Sequence, residues 1–226
     1  MKTPRINMKS SHGFTLIELM VTLVITSILV LGAGGFLSAA HKSNNVQSAV
    51  SGLNANGRFG LSQIARDLRM AGYRDSDWQL GGIGGALTGI TTPTGDSIVI
   101  QYEGARDCAF NPAPGGTVRN IYSVDAVNNT LSCNGQVVAN GVEEMRVYFG
   151  RDTDADNVPN GWVRAGTAIN MSSVAAVRIH LLTVTNGNDI STNAQPYYFD
   201  RQVREAIADG QIRREYSTTV AVRNQF

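Results

Sequence analysis

Residues 14–37 form an almost unbroken apolar run near the start of the chain. These 24 residues exceed the roughly 20 that a helix needs to cross the apolar core of a bilayer. A helix buried in a protein core is rarely apolar on all sides over such a length. The run therefore predicts a membrane-spanning helix. A secretory signal is the alternative, with Ala33 or the pair Gly34–Gly35 as the small residues near a cleavage site.

The helical pattern does not stop at the end of the apolar run, which argues against a secretory signal. Apolar and small residues continue to recur every three or four positions and form one face, consisting of Gly57, Leu61, Ile64, Ala65, Leu68 and Gly72. No proline interrupts residues 14–73, so we predict one helix over that range. Its glycines each cost roughly 1 kcal/mol relative to alanine. A flexible joint is predicted at residues 32–35.

Beyond the helix, the pattern changes to short alternating runs of β-forming residues. Residues 75–95 are rich in glycine, serine and threonine and are predicted to be a loop. The predicted strands cover residues 97–103, 118–124, 136–139, 142–149, 174–185, 197–199 and 215–223. The expected fold class is α+β, in which a long N-terminal helix, with a membrane-spanning half and an amphipathic half, packs on an antiparallel β-rich head.

The charges are segregated along the chain. Residues 1–13 hold three basic residues and no acid, whereas residues 74–226 hold 12 basic and 16 acidic residues. A mildly acidic body argues against nucleic-acid binding, which needs a concentrated basic surface. The basic N-terminus favours a cytoplasmic start, so the body is expected on the outer side of the membrane, in the periplasm if the cell is diderm.

Two cysteines, Cys108 and Cys133, lie in the body. An exported body permits a disulfide between them, which would stabilise the fold by roughly 3–4 kcal/mol. Two free thiols in a cytosolic protein are the alternative.

Glu18 is the one charged residue in the apolar run. A charge near the centre of a bilayer costs on the order of 2.5–3.5 kcal/mol, and less near one end. A passive anchor gains nothing from this acid. One interpretation is a surface acid that extends toward the headgroups; the other is a carboxylate that meets a partner cation.

Residues 9–18 (KSSHGFTLIE) resemble the signature of type IV prepilins and of type II secretion pseudopilins. The resemblance implies a leader at residues 1–13, cleavage by a prepilin peptidase between Gly13 and Phe14, and N-methylation of Phe14. It also implies that Glu18 neutralises the N-terminal amine of an adjacent subunit in a filament. A methylated amine stays protonated, so this attraction would be retained.

Two segments, residues 56–73 and 213–224, resemble PilW-type minor pilins. Residues 213–224 also resemble the C-terminal strand of the larger minor pseudopilins. The implied function is initiation of pilus assembly and formation of a tip complex. The implied partners are other minor pilins, the major pilin, a PilY-type tip protein and the inner-membrane assembly platform. The alternative is a minor pseudopilin of a type II secretion system.

The resemblance implies four segments, which are residues 1–13 (leader), 14–38 (membrane and filament-core helix), 39–73 (amphipathic helix) and 74–226 (periplasmic head). The protein is expected to cross the inner membrane once, with its N-terminus cytoplasmic, and then to enter the pilus at the cell surface. Arg66, Asp67 and Arg69 either contact the head or neighbours, or form a solvated helix surface.

Asp152, Asp154 and Asp156 alternate with the spacing of calcium loops, and Asn160 is a further candidate ligand. Val163 replaces the usual glutamate at the twelfth loop position, and a polar hairpin loop is the favoured alternative.

Enzymatic residues are not evident. His12, His41 and His180 are scattered along the sequence, and Glu143 and Glu144 are expected to point to opposite faces of a strand. The sequence therefore predicts a protein without catalytic activity and without a required cofactor.

Overall fold

The computed structural model describes residues 13–74, 87–92, 95–187, 190–191 and 193–224. The basic residues of the predicted leader lie outside these ranges. The chain divides into two compact units, Met1–Asn45 and Val46–Phe226. One helix, α1 (Leu16–Met70), contributes to both units, and it is continuous through residues 32–35, where a joint was predicted.

Three antiparallel sheets follow the helix in the described part of the chain. Five strands form a sheet in the order β1–β2–β3–β4–β5, four form a sheet in the order β11–β8–β6–β7, and β9 and β10 form a hairpin. The strands are β1 (Leu87–Thr92), β2 (Gly95–Glu103), β3 (Thr117–Asp125), β4 (Thr130–Cys133), β5 (Gln136–Asn140), β6 (Val142–Arg151), β7 (Gly161–Arg164), β8 (Val174–Val184), β9 (Tyr197–Phe199), β10 (Gln202–Arg204) and β11 (Arg213–Ala221).

The predicted fold class is confirmed, and each predicted strand has its counterpart, but the loop prediction for residues 75–95 is wrong in part. Residues 87–92 form β1, which pairs with β2 from Leu87↔Ile100 to Thr92↔Gly95. The surrounding glycines concealed this strand, although its isoleucine and threonines favour β structure. The strands β4, β7 and β10 were also missed, because runs of three or four residues are too short to show alternation.

The second half of α1 packs against the head through the predicted apolar face. Ile64 and Leu68 are fully buried, and Leu61 and Ala65 are nearly so. They join a core that includes Ile98 and Ile100 of β2, Leu131 of β4 and Ile179 and Leu181 of β8. Each buried aliphatic side chain contributes about 1.5–3 kcal/mol. Burial of this face therefore holds the second half of α1 on the head, although the glycines lower the intrinsic helix propensity of the segment.

Two helix glycines are required by close packing. A Cβ atom at Gly57 would lie 2.5 Å from Cδ2 of Tyr216 on β11, and one at Gly60 would lie 3.0 Å from a methyl group of Leu131. At Gly52, no atom of the described part of the chain lies within 4 Å of the same position. The glycines that weaken the helix locally thus allow it to approach the sheet.

We expect Gly57→Ala to destabilise the protein by about 1–3 kcal/mol, because the Tyr216 ring must move. The matched control Gly52→Ala should stabilise it by up to about 1 kcal/mol, since alanine is the better helix former at an open site. Thermal denaturation of both variants in detergent measures this. Equal midpoints for the two variants would contradict the packing argument.

Asp67 is buried, unlike its neighbours Arg66 and Arg69. One of its carboxylate oxygens accepts hydrogen bonds from the Asn120 amide and the Tyr122 hydroxyl on β3, both at 2.6 Å. Burial, and then the charge of Asp67, raise the pKa of Tyr122, so its hydroxyl remains a donor. The three charged residues considered together from the sequence, Arg66, Asp67 and Arg69, therefore differ in role. Asp67 binds the head, and both arginines are exposed.

Two further links hold the head together. Cys108 and Cys133, 25 residues apart, form a disulfide that ties the loop after β2 to the end of β4. Asp96 of β2 is buried and joins the two larger sheets, because it accepts bonds from the Val147 backbone amide of β6 at 2.8 Å and from the Arg164 guanidinium of β7 at 2.9 Å.

Candidate functional site

The first half of α1 presents its apolar side chains to its surroundings. Residues 14–39 are all exposed in the single chain, and α1 has the length and composition to cross a membrane. The hydroxyl groups within it are satisfied internally. Thr22, Thr26 and Ser27 donate to the backbone carbonyls of Leu19, Thr22 and Val24 at 2.7–2.9 Å. These hydroxyls thus impose little cost on burial in lipid or in a helical bundle.

The helix begins with a local cap. Thr15 precedes the first helical residue, and its hydroxyl oxygen accepts a hydrogen bond from the backbone N–H of Glu18 at 3.4 Å. The sequence Thr15-Leu16-Ile17-Glu18 has the spacing of a capping box, in which threonine and glutamate satisfy exposed amides at a helix start. Among the described residues the threonine half of this box is formed, because Glu18 contributes its backbone N–H to the contact and not its carboxylate.

The Glu18 carboxylate itself is unpaired. Within the described residues, no group forms a hydrogen bond or an ion pair with its oxygens. It lies on an exposed apolar helix, where a charge without a partner is expensive once water is removed. The geometry leaves the carboxylate available to a cation from outside the chain.

Gly13 and Phe14 precede the helix and have no regular secondary structure. Phe14 is 81% exposed, and no described atom lies within 4 Å of the position of a Cβ atom at Gly13. No described residue outside this segment covers the peptide bond between them. His12, on the other side of Gly13, lies outside the described residues.

In the head, His180 and the glutamates of β6 have structural partners. His180 is buried on β8, and its Nδ1 atom contacts the Glu215 carboxylate of β11. Glu143 binds the Arg213 guanidinium at 2.6 Å, and Glu144 pairs with Arg146.

The reason given from sequence for separating the two glutamates is wrong. A β-bulge between Val142 and Glu144 breaks the alternation of β6. Glu143 and Glu144 are both half-buried, whereas Val142 and Met145 on either side of them are buried. Each carboxylate is nevertheless paired with its own arginine, whereas the two carboxylates of a catalytic pair share a proton.

The acidic loop between β6 and β7 brings three carboxylates together. Ligand oxygens of Asp152, Asp154 and Asp156 lie within 4.8 Å of one another. Asp152 accepts hydrogen bonds from the backbone amides of residues 154, 155 and 157 at 2.8–3.1 Å, and these bonds lower its pKa although burial opposes them. The Asn160 amide bridges Thr153 and Asp154. The loop thus closes on its own polar groups.

We expect millimolar calcium to leave the thermal midpoint of the chain unchanged, because the side chain of Val163 offers no ligand at the twelfth loop position and the loop oxygens already accept internal bonds. Calcium titration followed by differential scanning calorimetry measures this. A saturable rise of the midpoint that is lost in Asp154→Asn would instead establish the calcium site predicted at Asp152, Asp154, Asp156 and Asn160.

Comparison with known protein families gives one match near the N-terminus and one in the C-terminal half of the chain. Residues 113–224 match the family model of the type IV pilus-assembly protein W, and residues 8–34 match the prokaryotic N-terminal methylation motif. Comparison with curated protein sequences gave no match. Among solved structures, a type IV-like pilin from Thermus thermophilus matches with a TM-score of 0.52 and 20% identity, over 76% of this chain and 97% of that one.

The structural match supports the fold alone, and the two family models indicate the protein family. The N-terminal match includes the residues before and after Gly13, and the C-terminal match extends from the loop before β3 through β11. The chain belongs to the type IV pilin-like family and resembles the PilW-type minor pilins.

Proposed function

We propose that this protein is a minor pilin that takes part in initiating pilus assembly and in forming the tip complex. The observation that carries this proposal is the exposed apolar run of residues 14–37, whose one charged side chain, Glu18, has no partner among the described residues. Such a helix is stable in a bilayer or in a bundle of similar helices, and its carboxylate needs a cation in the second setting.

Cleavage between Gly13 and Phe14 would supply that cation. It creates a new N-terminal ammonium at Phe14, which stays protonated after N-methylation. In a stack of subunits, the ammonium of one chain would pair with Glu18 of the next, so that two expensive buried charges become one ion pair. The uncut precursor lacks this cation at the start of its helix, so cleavage makes the chain competent to assemble.

The proposed topology follows from the same argument. The leader, residues 1–13, is cytoplasmic, residues 14–38 cross the inner membrane, and residues 39–73 continue into the head at residues 74–226. The head is periplasmic before assembly, and the disulfide between Cys108 and Cys133 supports an oxidising location. The proposed partners are the prepilin peptidase, the assembly platform, the major and other minor pilins and a PilY-type tip protein.

A minor pseudopilin of a type II secretion system remains the second candidate, since the N-terminal features serve both machines. Deletion of the gene, with surface piliation and protein secretion measured in parallel, distinguishes them. Loss of pili with normal secretion supports the pilus role. Loss of secretion with normal piliation would replace it by the secretion role.

We expect Gly13→Leu to leave uncut precursor in the membrane, because a bulky side chain next to the cut bond obstructs the protease. Immunoblotting of membrane fractions separates the two forms by the mass of residues 1–13. Gly52→Leu, an equally bulky change at an open helix position, serves as the control and should be cut normally. Normal maturation of Gly13→Leu would contradict the assigned cleavage position.

A further inference from the structure

A cavity of about 350 Å³ lies on the outer face of the four-stranded sheet, under the hairpin formed by β9 and β10. It is separate from the N-terminal helix and from the acidic loop. Its walls come from β6, β7, β8, β10 and the turn between β9 and β10, and include Tyr148, Trp162, Arg178, His180, Asp200 and Arg201. The volume is near the lower end of the range for small-molecule sites.

Arg178 is held in the cavity without a carboxylate. Its guanidinium stacks over the Trp162 ring at 3.9 Å from the ring centre, and its Nε donates to the Thr219 hydroxyl at 3.1 Å. Among the described residues, no acid forms an ion pair with it. Stacking and one hydrogen bond fix the plane of the guanidinium and leave its two terminal nitrogens as free donors.

Arg201 is the second such cation. It shares the two-residue turn between β9 and β10 with Asp200, and no described acid forms an ion pair with its guanidinium. The two residues have φ angles of 64° and 52°, in the left-handed region. Turns of this type normally use Asn-Gly, and each side chain here adds on the order of 1–3 kcal/mol of strain. Strain at a turn whose side chains line a cavity favours a role in binding.

Asp200 is the one acid among the described residues that line the cavity. One of its carboxylate oxygens accepts a hydrogen bond from the Tyr148 hydroxyl at 2.6 Å, and the other oxygen is left as an acceptor. Two guanidinium groups therefore face the cavity against a single carboxylate, that of Asp200. Arg164 and Arg213 of the same sheet are instead paired with carboxylates at 2.9 Å and 2.6 Å.

We propose that this cavity binds a small polar ligand carrying one oxyanion, a carboxylate or a phosphate, beside hydroxyl groups. Arg178 and Arg201 bind the oxyanion, because guanidinium groups match the geometry of carboxylate and phosphate oxygens. Asp200 and Gln202 offer acceptors to the hydroxyl groups, and the Trp162 and Tyr148 rings provide the apolar wall. An acidic or phosphorylated monosaccharide has this combination of groups. The site adds a ligand to a head whose proposed role is assembly.

The test uses the whole chain in a polyoxyethylene detergent, which has no sugar headgroup to compete. Trp162 emission is followed in a Trp78→Phe background, because the sequence has two tryptophans and this leaves only the one in the cavity. The probes are glucuronate, glucose 6-phosphate and glucose. We expect at least one of the two anions to give a saturable change, with no change for glucose. The anion that binds identifies the carboxylate or the phosphate as the preferred group.

Arg201→Gly separates binding from folding. Glycine removes the guanidinium and also relieves the left-handed strain, so affinity for the anion should fall by about tenfold, while the thermal midpoint stays equal or rises. Arg119→Gln removes a positive charge from an exposed position on β3 and should leave the affinity unchanged. The proposal is overturned if neither anion exceeds glucose, if Arg201→Gly binds like the parent, or if its midpoint falls.

Discussion

Glu18→Gln is expected to give a chain that is cleaved normally but enters pili at about one-tenth to one-hundredth of the usual level. The Thr15 cap uses the backbone N–H of residue 18, which glutamine retains, so the helix start is preserved. It cannot neutralise an ammonium group. A hydrogen bond to a charged group contributes about 1.5–3 kcal/mol, and each 1.4 kcal/mol changes an equilibrium by tenfold.

Quantitative immunoblotting of sheared pili and of membranes measures this effect. Thr15→Ala is the matched control, because it removes the hydroxyl that caps the helix and leaves the carboxylate in place. It should cost about 1 kcal/mol of helix stability and have little effect on assembly. If Glu18→Gln reaches pili at ordinary abundance while Thr15→Ala does not, the helix cap and not the Glu18 carboxylate is needed for assembly, and the counter-charge role is lost.

Asp67→Ala is expected to produce the largest loss of stability in the head, about 3 kcal/mol or more. The substitution removes the acceptor of the Tyr122 hydroxyl and one of the two acceptors of the Asn120 amide, which keeps only the Tyr102 hydroxyl at 3.2 Å. Each buried donor bond left unmade costs about 1–3 kcal/mol. For a chain of this size, the thermal midpoint should fall by roughly 6–12 °C. Since Asp67 fixes α1 on β3, the helix should also become more accessible to protease.

Two controls separate the buried bonds from the exposed charge. Asp67→Asn keeps an acceptor oxygen and should lose less stability than Asp67→Ala. Arg66→Gln removes the exposed partner, whose side chain is 65% exposed and whose Nε lies 3.7 Å from Asp67, and should change stability by less than about 1 kcal/mol. If the thermal midpoint of Asp67→Ala lay within about 1–2 °C of the parent's midpoint, this result would contradict the importance of the network.

The N-terminal site stays a prediction, and the sequence alone supplies it because its parts are adjacent. Gly13, Phe14 and Glu18 lie within six residues, and the apolar run follows directly. Their chemistry depends on local order along the chain, so it needs no knowledge of the fold. The capping contact of Thr15 follows from the same four residues and was available in the sequence as well.

The sites in the head could not be predicted because distant segments build them. Asp67 meets Asn120 and Tyr122 across 53 and 55 residues, and nothing in the helix pattern shows that one acid of a charged run is buried. Glycine at position 57 lowers helix propensity, so the sequence gives no reason for it. The reason is the close packing of Tyr216, which leaves no room for a side chain there. The anion cavity likewise needs the pairing of β6, β7 and β8 and the turn at Asp200.

The most direct test is mass spectrometry of the natural protein in sheared, purified pili. The account predicts a chain that begins at Phe14, carries one added methyl group on its terminal nitrogen and copurifies with the major pilin. Recovery of the protein solely in membranes, with residues 1–13 still attached, would contradict it.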